Sequence, residues 1–206
     1  PVNGCPWDKV QTHTSIRMNF LEEAYEAVDA LDLDDPVLMC EELGDVLMQV
    51  AFHTCMEQET GRFTWEQVCD GVCQKLIERH PNIFGTQPGY EGITDWDALK
   101  NKEKGRRTLA DDLESVPRAM PALMRAAKLQ KRAARHGAAL QGADAAALAD
   151  AAENLQTAQP ASAQAEQAVG ELLFAAANLA RQAGVDPEQA LQKANEAFCT
   201  AAGPVA

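Results

Sequence analysis

Residues 19–50 read NFLEEAYEAVDALDLDDPVLMCEELGDVLMQV, and their periodicity decides the fold. Side chains three or four apart share a face of a helix. Phe20, Ala24, Ala27, Val28 and Leu31 fall on one such face; Leu43, Val46, Leu47 and Val50 fall on another. Between them lies Asp35-Pro36. A carboxylate that caps free N–H groups, followed by a residue that has no N–H to cap, is a helix start. The stretch is therefore two amphipathic helices in succession. Each carries acids beside its apolar stripe, Glu23 and Glu26 on the first, Glu42 and Asp45 on the second. Glu22, Asp29 and Glu41 sit further round. If the stripes pack as a hairpin, four carboxylates converge at the edge of the core.

Like charges brought together raise one another's pKa or gather a cation. Carboxylate oxygens are hard ligands, so Mg²⁺ is the natural cation, with Mn²⁺ as the alternative. A single E-x-x-E reads most simply as a solvated acidic face. Two such pairs on adjacent helices, each flanking a core stripe, favour a metal site.

Working outward, the elements remain helical. Residues 1–12 form an irregular lead-in, and the first helix is expected from about Thr14 to Leu31. The second runs from Pro36 to about Glu59, with Gly61 suited to its C-terminal turn. Thr64 and Gln67 have the spacing of a capping box and open a third helix that reaches Arg79, before His80-Pro81. Residues 81–93 read as a loop and Asp95 to Lys104 as a short helix. Residues 105–118 read as a linker. Beyond it come a basic helix over 119–136, Ala-rich helices over 143–158 and 161–183, and a last helix opened by Asp186-Pro187 and reaching about Phe198. No stretch alternates with strand period, so the chain is expected to be all-α.

The second half echoes the first. GELLFAAANLARQAGVDPEQALQKANEAF (170–198) follows the pattern of residues 44–76, with Gly170 in the place of Gly44, Leu173 of Leu47 and Gly184 of Gly61. The acids are not repeated. Ala168 stands where Glu42 would, Glu171 where Asp45 would, and the upstream stretch offers only Asp150 and Glu153. Retained Lys193 and Asn195 leave room for weak nucleotide binding there.

Bulk properties narrow the function. A net charge of −13 over 206 residues argues against nucleic acid as a partner, since tracking phosphates needs a basic stripe. No apolar run approaches a membrane span, and no signal-peptide pattern opens the chain. A cytoplasmic location is expected. The first residue is Pro1 rather than Met, as in a trimmed chain or a fragment. Cys5, Cys40, Cys55, Cys69, Cys73 and Cys199 form no C-x-x-C pair and read as small buried apolar residues in a reducing compartment.

The order CPWDKVQTHTSI, LEEAYEAVDAL, EELGDVLMQVAFH, ETGRF and KLIERHPNIFG resembles the MazG family of nucleoside triphosphate pyrophosphohydrolases over nearly the whole chain. Glu22, Glu23 and Glu26 match its E-E-x-x-E, and Glu42 and Asp45 its E-x-x-D, fifteen residues on. Cys5-Pro6-Trp7-Asp8 precedes and Arg79-His80-Pro81 follows. The resemblance implies tandem helical modules: 1–110 with an intact metal site, in a four-helix bundle completed across a homodimer, and 119–206 as a degenerate copy. It implies hydrolysis of a nucleoside triphosphate to a monophosphate and pyrophosphate, in house-cleaning or nucleotide-pool control. Glu23, Glu26, Glu42 and Asp45 would hold Mg²⁺, and Glu22 would orient or deprotonate water. Lys75, Arg79, Trp96 and Lys100 become candidates for phosphate and base contacts. His53 falls on the Glu42/Asp45 face and reads as a supporting or packing residue.

Two other readings compete. A ferritin-like di-metal protein also buries carboxylates among helices but needs Glu-x-x-His pairs, and none of the four His has a Glu three residues before it. A non-catalytic module that binds nucleotides or a protein partner would also suit the Ala-rich half.

Overall fold

The structure, a computed structural model, describes residues 4–85, 101 and 103–203. All regular structure among these residues is helical. The chain divides into two compact units, residues 1–94 and 95–206.

In the first unit a 3-10 turn, Asp8–Val10, precedes α1 (Arg17–Asp32), α2 (Pro36–Glu59), α3 (Trp65–Arg79) and the single turn α4 (Pro81–Phe84). Asp35 caps α2 as its sequence demands, Oδ1 accepting from Val37 N at 2.9 Å and Leu38 N at 3.2 Å. Gly61 closes the helix at φ 71°, a backbone region where a Cβ would be strained. The capping box forms: Thr64 N donates to Gln67 Oε1 at 2.9 Å, and Gln67 N donates to Thr64 Oγ1 at 3.4 Å.

α1 and α2 pack as the expected hairpin. Ala27 and Ala30 of α1 and Gln49 of α2 are buried. Much of the apolar stripe is left uncovered. Val28, Leu31, Leu43 and Leu47 are each about half exposed, and Tyr25 and Met48 stand beside them. The cysteines also depart from expectation. All six are exposed free thiols.

The second unit holds α5 (Leu109–Glu114), α6 (Ala122–Arg135), α7 (Ala145–Thr157), α8 (Ala163–Gln182) and α9 (Pro187–Ala202). α5 lies in the stretch expected to be a linker. Thr108 and Asp111 form a capping box there, a signal present in the sequence. Buried Asp112 ties α5 to α6 through Arg132 (3.0 Å) and His136 (3.1 Å). This places α5 with the second unit, so the division of the chain falls earlier than the expected limit near residue 110. The core here is packed with alanine, Ala133, Ala143, Ala151, Ala168, Ala175 and Ala177. Where larger polar side chains are buried they find backbone partners: Gln130 Nε2 donates to Phe174 O at 2.7 Å, and Asn178 Nδ2 to Ala143 O at 2.6 Å.

The echo between the halves extends to backbone geometry. Gly184 adopts the same φ of 71° as Gly61. Arg62 N donates to Glu57 O at 3.0 Å across the first turn, and Val185 N to Ala180 O at 2.9 Å across the second. Each turn then leads into a capped helix, α3 through Thr64 and α9 through Asp186. Two helical modules in tandem are consistent with this match.

Candidate metal and substrate site

The hairpin sets its register through Glu23, which accepts from Gln49 Nε2 at 3.3 Å. One turn further along α1 and two turns back along α2, Glu26 and Glu42 face each other. One carboxylate oxygen from each of Glu23, Glu26 and Glu42 lies within 4.8 Å of the others. Glu26 is exposed; Glu23 and Glu42 are partly covered.

The carboxylates disturb one another. Partial desolvation between the helices, then the charges of Glu42, Glu23 and Glu22 and a hydrogen bond with Glu23, push the Glu26 pKa up. Partial desolvation and the charges of Asp45, Glu41 and Glu23 do the same to Glu42. Since Glu26 is open to solvent, neighbouring charge is the part of this strain that a cation reverses. Asp45 stands outside the trio of converging oxygens but close enough to Glu42 for its charge to act. Glu22 is exposed, on the same turn as Glu23.

The donor set suits a hard divalent cation. All three groups are carboxylates, with no thiolate or imidazole among them. Octahedral Mg²⁺, with ligand bonds of about 2.1 Å, spans about 4.2 Å between opposite oxygens. The 4.8 Å spread is therefore slightly wide for one ion and needs a small inward rotamer adjustment.

Toward the other end of the hairpin a second group forms, which the sequence reading did not single out as a unit. His13 and His53 stack in parallel with ring centres 5.0 Å apart, and their Nδ1 atoms lie 2.7 Å apart, one donating to the other. Buried Glu57 accepts from His13 Nε2 and from Arg62, each at 2.5 Å. Burial and the adjacent His13 hold the His53 pKa below the usual imidazole range. Phe20 and Phe63 complete an open pocket of roughly 480 Å³ around these residues. His53 thus packs against His13 and Phe20 rather than at the carboxylates. Residues 42, 45, 49, 53 and 57 recur every three or four positions along α2, and that spacing is the signal by which Gln49 and Glu57 could have been found.

Lys75 and Arg79 both lie on α3, which packs on α2. Trp96 and Lys100 lie outside the described residues, as does most of the short helix expected from Asp95 to Lys104. In the second unit, Asp150, Asn154 and Glu171 line an open cavity at the place that corresponds to the first unit's carboxylates. Ala168, in the place of Glu42, is buried, and Glu171 accepts from Gln167 of its own helix at 2.8 Å.

Comparison with known proteins bears directly on this site. Residues 11–84, which contain the whole carboxylate hairpin, match the family described as MazG nucleotide pyrophosphohydrolase domain. The chain is 41% identical over 207 residues to the nucleoside triphosphate pyrophosphohydrolase of Escherichia coli K12, covering 96% of this chain and 79% of that protein. It is 39% identical over 197 residues to the nucleoside triphosphate pyrophosphohydrolase/pyrophosphatase MazG of Thermotoga maritima, covering 95% and 76%. A nucleoside triphosphate pyrophosphohydrolase of Mycobacterium tuberculosis is 38% identical over 136 residues, 64% of this chain and 41% of that one.

Proposed function

The chain belongs to the MazG family, and from that premise we propose how its first unit carries out the family's reaction. It is a nucleoside triphosphate pyrophosphohydrolase: water splits the bond between the α- and β-phosphates, leaving a nucleoside monophosphate and pyrophosphate.

The observation that carries the residue assignment is the convergence of Glu23, Glu26 and Glu42. These three, with Asp45 beside Glu42, would hold Mg²⁺, or Mn²⁺ in its place. Bound there, the metal would supply charge neutralisation on the phosphate oxygens and a lowered pKa for attacking water. The remaining work falls to the chain. Gln49, held at full burial, fixes the Glu23 carboxylate by its amide hydrogen bond. Glu22 is exposed on the same turn and is assigned to receive the proton of the attacking water. Lys75 and Arg79, one turn apart on α3, are assigned to phosphate oxygens, with Trp96 and Lys100 as further contacts to base and phosphate. The pocket walled by Phe20 and Phe63 opens along the same hairpin and has room for the nucleoside end.

The uncovered stripe supports a homodimer. Tyr25, Val28, Leu31, Leu43, Leu47 and Met48 are each 44–56% exposed on one hairpin. Carrying such a side chain from half exposed to buried gains on the order of 1 kcal/mol. A second copy of the hairpin provides the same apolar face and completes a four-helix bundle. The second unit, lacking the converging acids, is assigned a structural or regulatory role. The setting we propose is the cytoplasmic nucleotide pool, and the role its house-cleaning or control. No described helix is long and apolar enough to cross a membrane.

Product analysis is the test. The purified chain is incubated with each common NTP and dNTP, with and without Mg²⁺ or Mn²⁺, and nucleotides and pyrophosphate are resolved. Metal-dependent monophosphate plus pyrophosphate, abolished by Glu42→Ala, is the expected result. Diphosphate plus orthophosphate would place cleavage at the wrong bond. Binding without turnover would favour a non-catalytic nucleotide-binding module.

A further inference from the structure

The second unit contains a pocket of opposite electrostatic character, separate from the carboxylate hairpin. It has a volume of roughly 530 Å³ and lies between α6 and the turn that joins α8 to α9. Lys128, Lys131, Arg132 and Arg181 line it, with Met120 and Met124 as an apolar wall. In a chain of net charge −13 this concentration of cations is unusual. α6 itself carries five Lys and Arg and no Asp or Glu.

The cations are not arranged for mutual support. Lys128, Lys131 and Arg132 occupy positions i, i+3 and i+4 on one helix face, where like charges destabilise the helix. Among the described ion pairs neither lysine has an acidic partner. Arg132 is 93% buried, being only 7% exposed. One arm of its guanidinium is spent on Asp112 and Ser115, yet its Nε–H has no acceptor. Asp186, the one carboxylate lining the pocket, is occupied as the cap of α9 through Glu188 N and Gln189 N. Two lysines without acidic partners and two arginines lining one pocket suit an anion with several oxygens.

We propose that this pocket binds an oligophosphate group, either pyrophosphate itself or the phosphate chain of a nucleoside di- or triphosphate. Lys128, Lys131 and Arg181 outweigh the single lining carboxylate of Asp186, and the volume lies within the range of nucleotide-sized sites. Met120 and Met124 offer an adaptable apolar surface to a base where one is attached.

The test uses the full chain in EDTA, so that binding at the carboxylate hairpin is not supported by metal. Calorimetric titrations are run with pyrophosphate, orthophosphate and a non-hydrolysable α,β-methylene nucleoside triphosphate. The variants are Lys128→Ala/Lys131→Ala, whose side chains do not hold Asp112, a control Arg107→Ala elsewhere in the unit, and Asp29→Asn in the other unit. Circular dichroism checks that each folds. Submillimolar binding of pyrophosphate or the nucleotide analogue is expected, weakened at least tenfold by the double substitution and unchanged in the two controls. Pyrophosphate binding alone would assign the pocket to the free anion; binding of the analogue alone would assign it to a nucleotide. The proposal is overturned by no binding in the wild type, by undiminished binding in the double variant, or by an equal loss in Arg107→Ala.

Discussion

Shortening one carboxylate of the hairpin by a single methylene separates a metal site from a merely acidic surface. In Glu42→Asp the charge is retained, but the carboxylate withdraws by about 1.5 Å, one carbon–carbon bond. The oxygens of Glu23, Glu26 and Glu42 already spread to 4.8 Å. Withdrawal of that size is large against the roughly 4.2 Å that one octahedral Mg²⁺ can span between opposite oxygens. The aspartate is then too short to share the ion. Removing groups that only orient ligands costs about 10–100-fold in metal affinity, so loss of a direct ligand is expected to cost about 100-fold or more. The assay is initial-rate pyrophosphate release against Mg²⁺ concentration, read as the half-saturating concentration, together with the Mg²⁺-induced shift in melting temperature. Glu42→Asp is expected to behave like Glu42→Ala, and Asp29→Ala, which removes an exposed carboxylate outside the trio, like wild type. A Glu42→Asp enzyme with wild-type Mg²⁺ dependence would refute the reasoning, because charge without reach would then suffice.

Gln49→Leu removes the buried donor to Glu23 while also eliminating an acceptor, Gln49 Oε1, that has no partner. Stability is expected to hold or rise slightly, and the half-saturating Mg²⁺ concentration to increase 10–100-fold in the rate assay. Leu43→Lys/Leu47→Lys places charge in the middle of the uncovered stripe; size-exclusion chromatography with light scattering is expected to show a shift from dimer to monomer. Asp112→Asn breaks the buried pair with Arg132. The loss is expected near the lower end of the usual range, about 3 kcal/mol by denaturant titration, because Arg132 keeps the Asp112 carbonyl and the Ser115 hydroxyl. The same residue sets a pH dependence. Burial alone would raise its pKa, but hydrogen bonds from Asn101 and His136 and the charges of Arg132 and Arg135 outweigh burial and hold it below 3.8. Its contribution is therefore present above pH 3.8 and lost as pH falls through the lower folded-state value, and Asp112→Asn is expected to remove that acid limb from the stability profile.

The sequence by itself determined the longer helices and most of their ends, while α4 and α5 fall where a loop and a linker were expected. Caps at Asp35, Thr64, Ser162 and Asp186 and left-handed turns at Gly61 and Gly184 are local devices, satisfied by atoms within a few residues, so they are legible in one dimension. The pairing of Glu23/Glu26 with Glu42 was legible for the same reason. Helical period fixes which side chains share a face, and two stripes separated by a short turn can pack in only one sense. Tertiary structure decided what period cannot. Thr108 and Asp111 gave a start signal for α5, but only the pairing of Asp112 with Arg132, twenty residues away, makes that segment part of the second unit. The apolar stripe was visible as a pattern, whereas which of its residues are buried (Ala27, Ala30) and which stay half exposed (Val28, Leu31, Leu43, Leu47) is decided by the packing of the two helices. Gln49 looked like an ordinary polar residue until burial and a carboxylate partner gave it a position to hold. Lys128, Lys131 and Arg132 read as part of a basic helix; Arg181, contributed from the end of α8, joins them in lining a pocket. Burial and convergence are sums over residues distant in the chain, and no local pattern contains them.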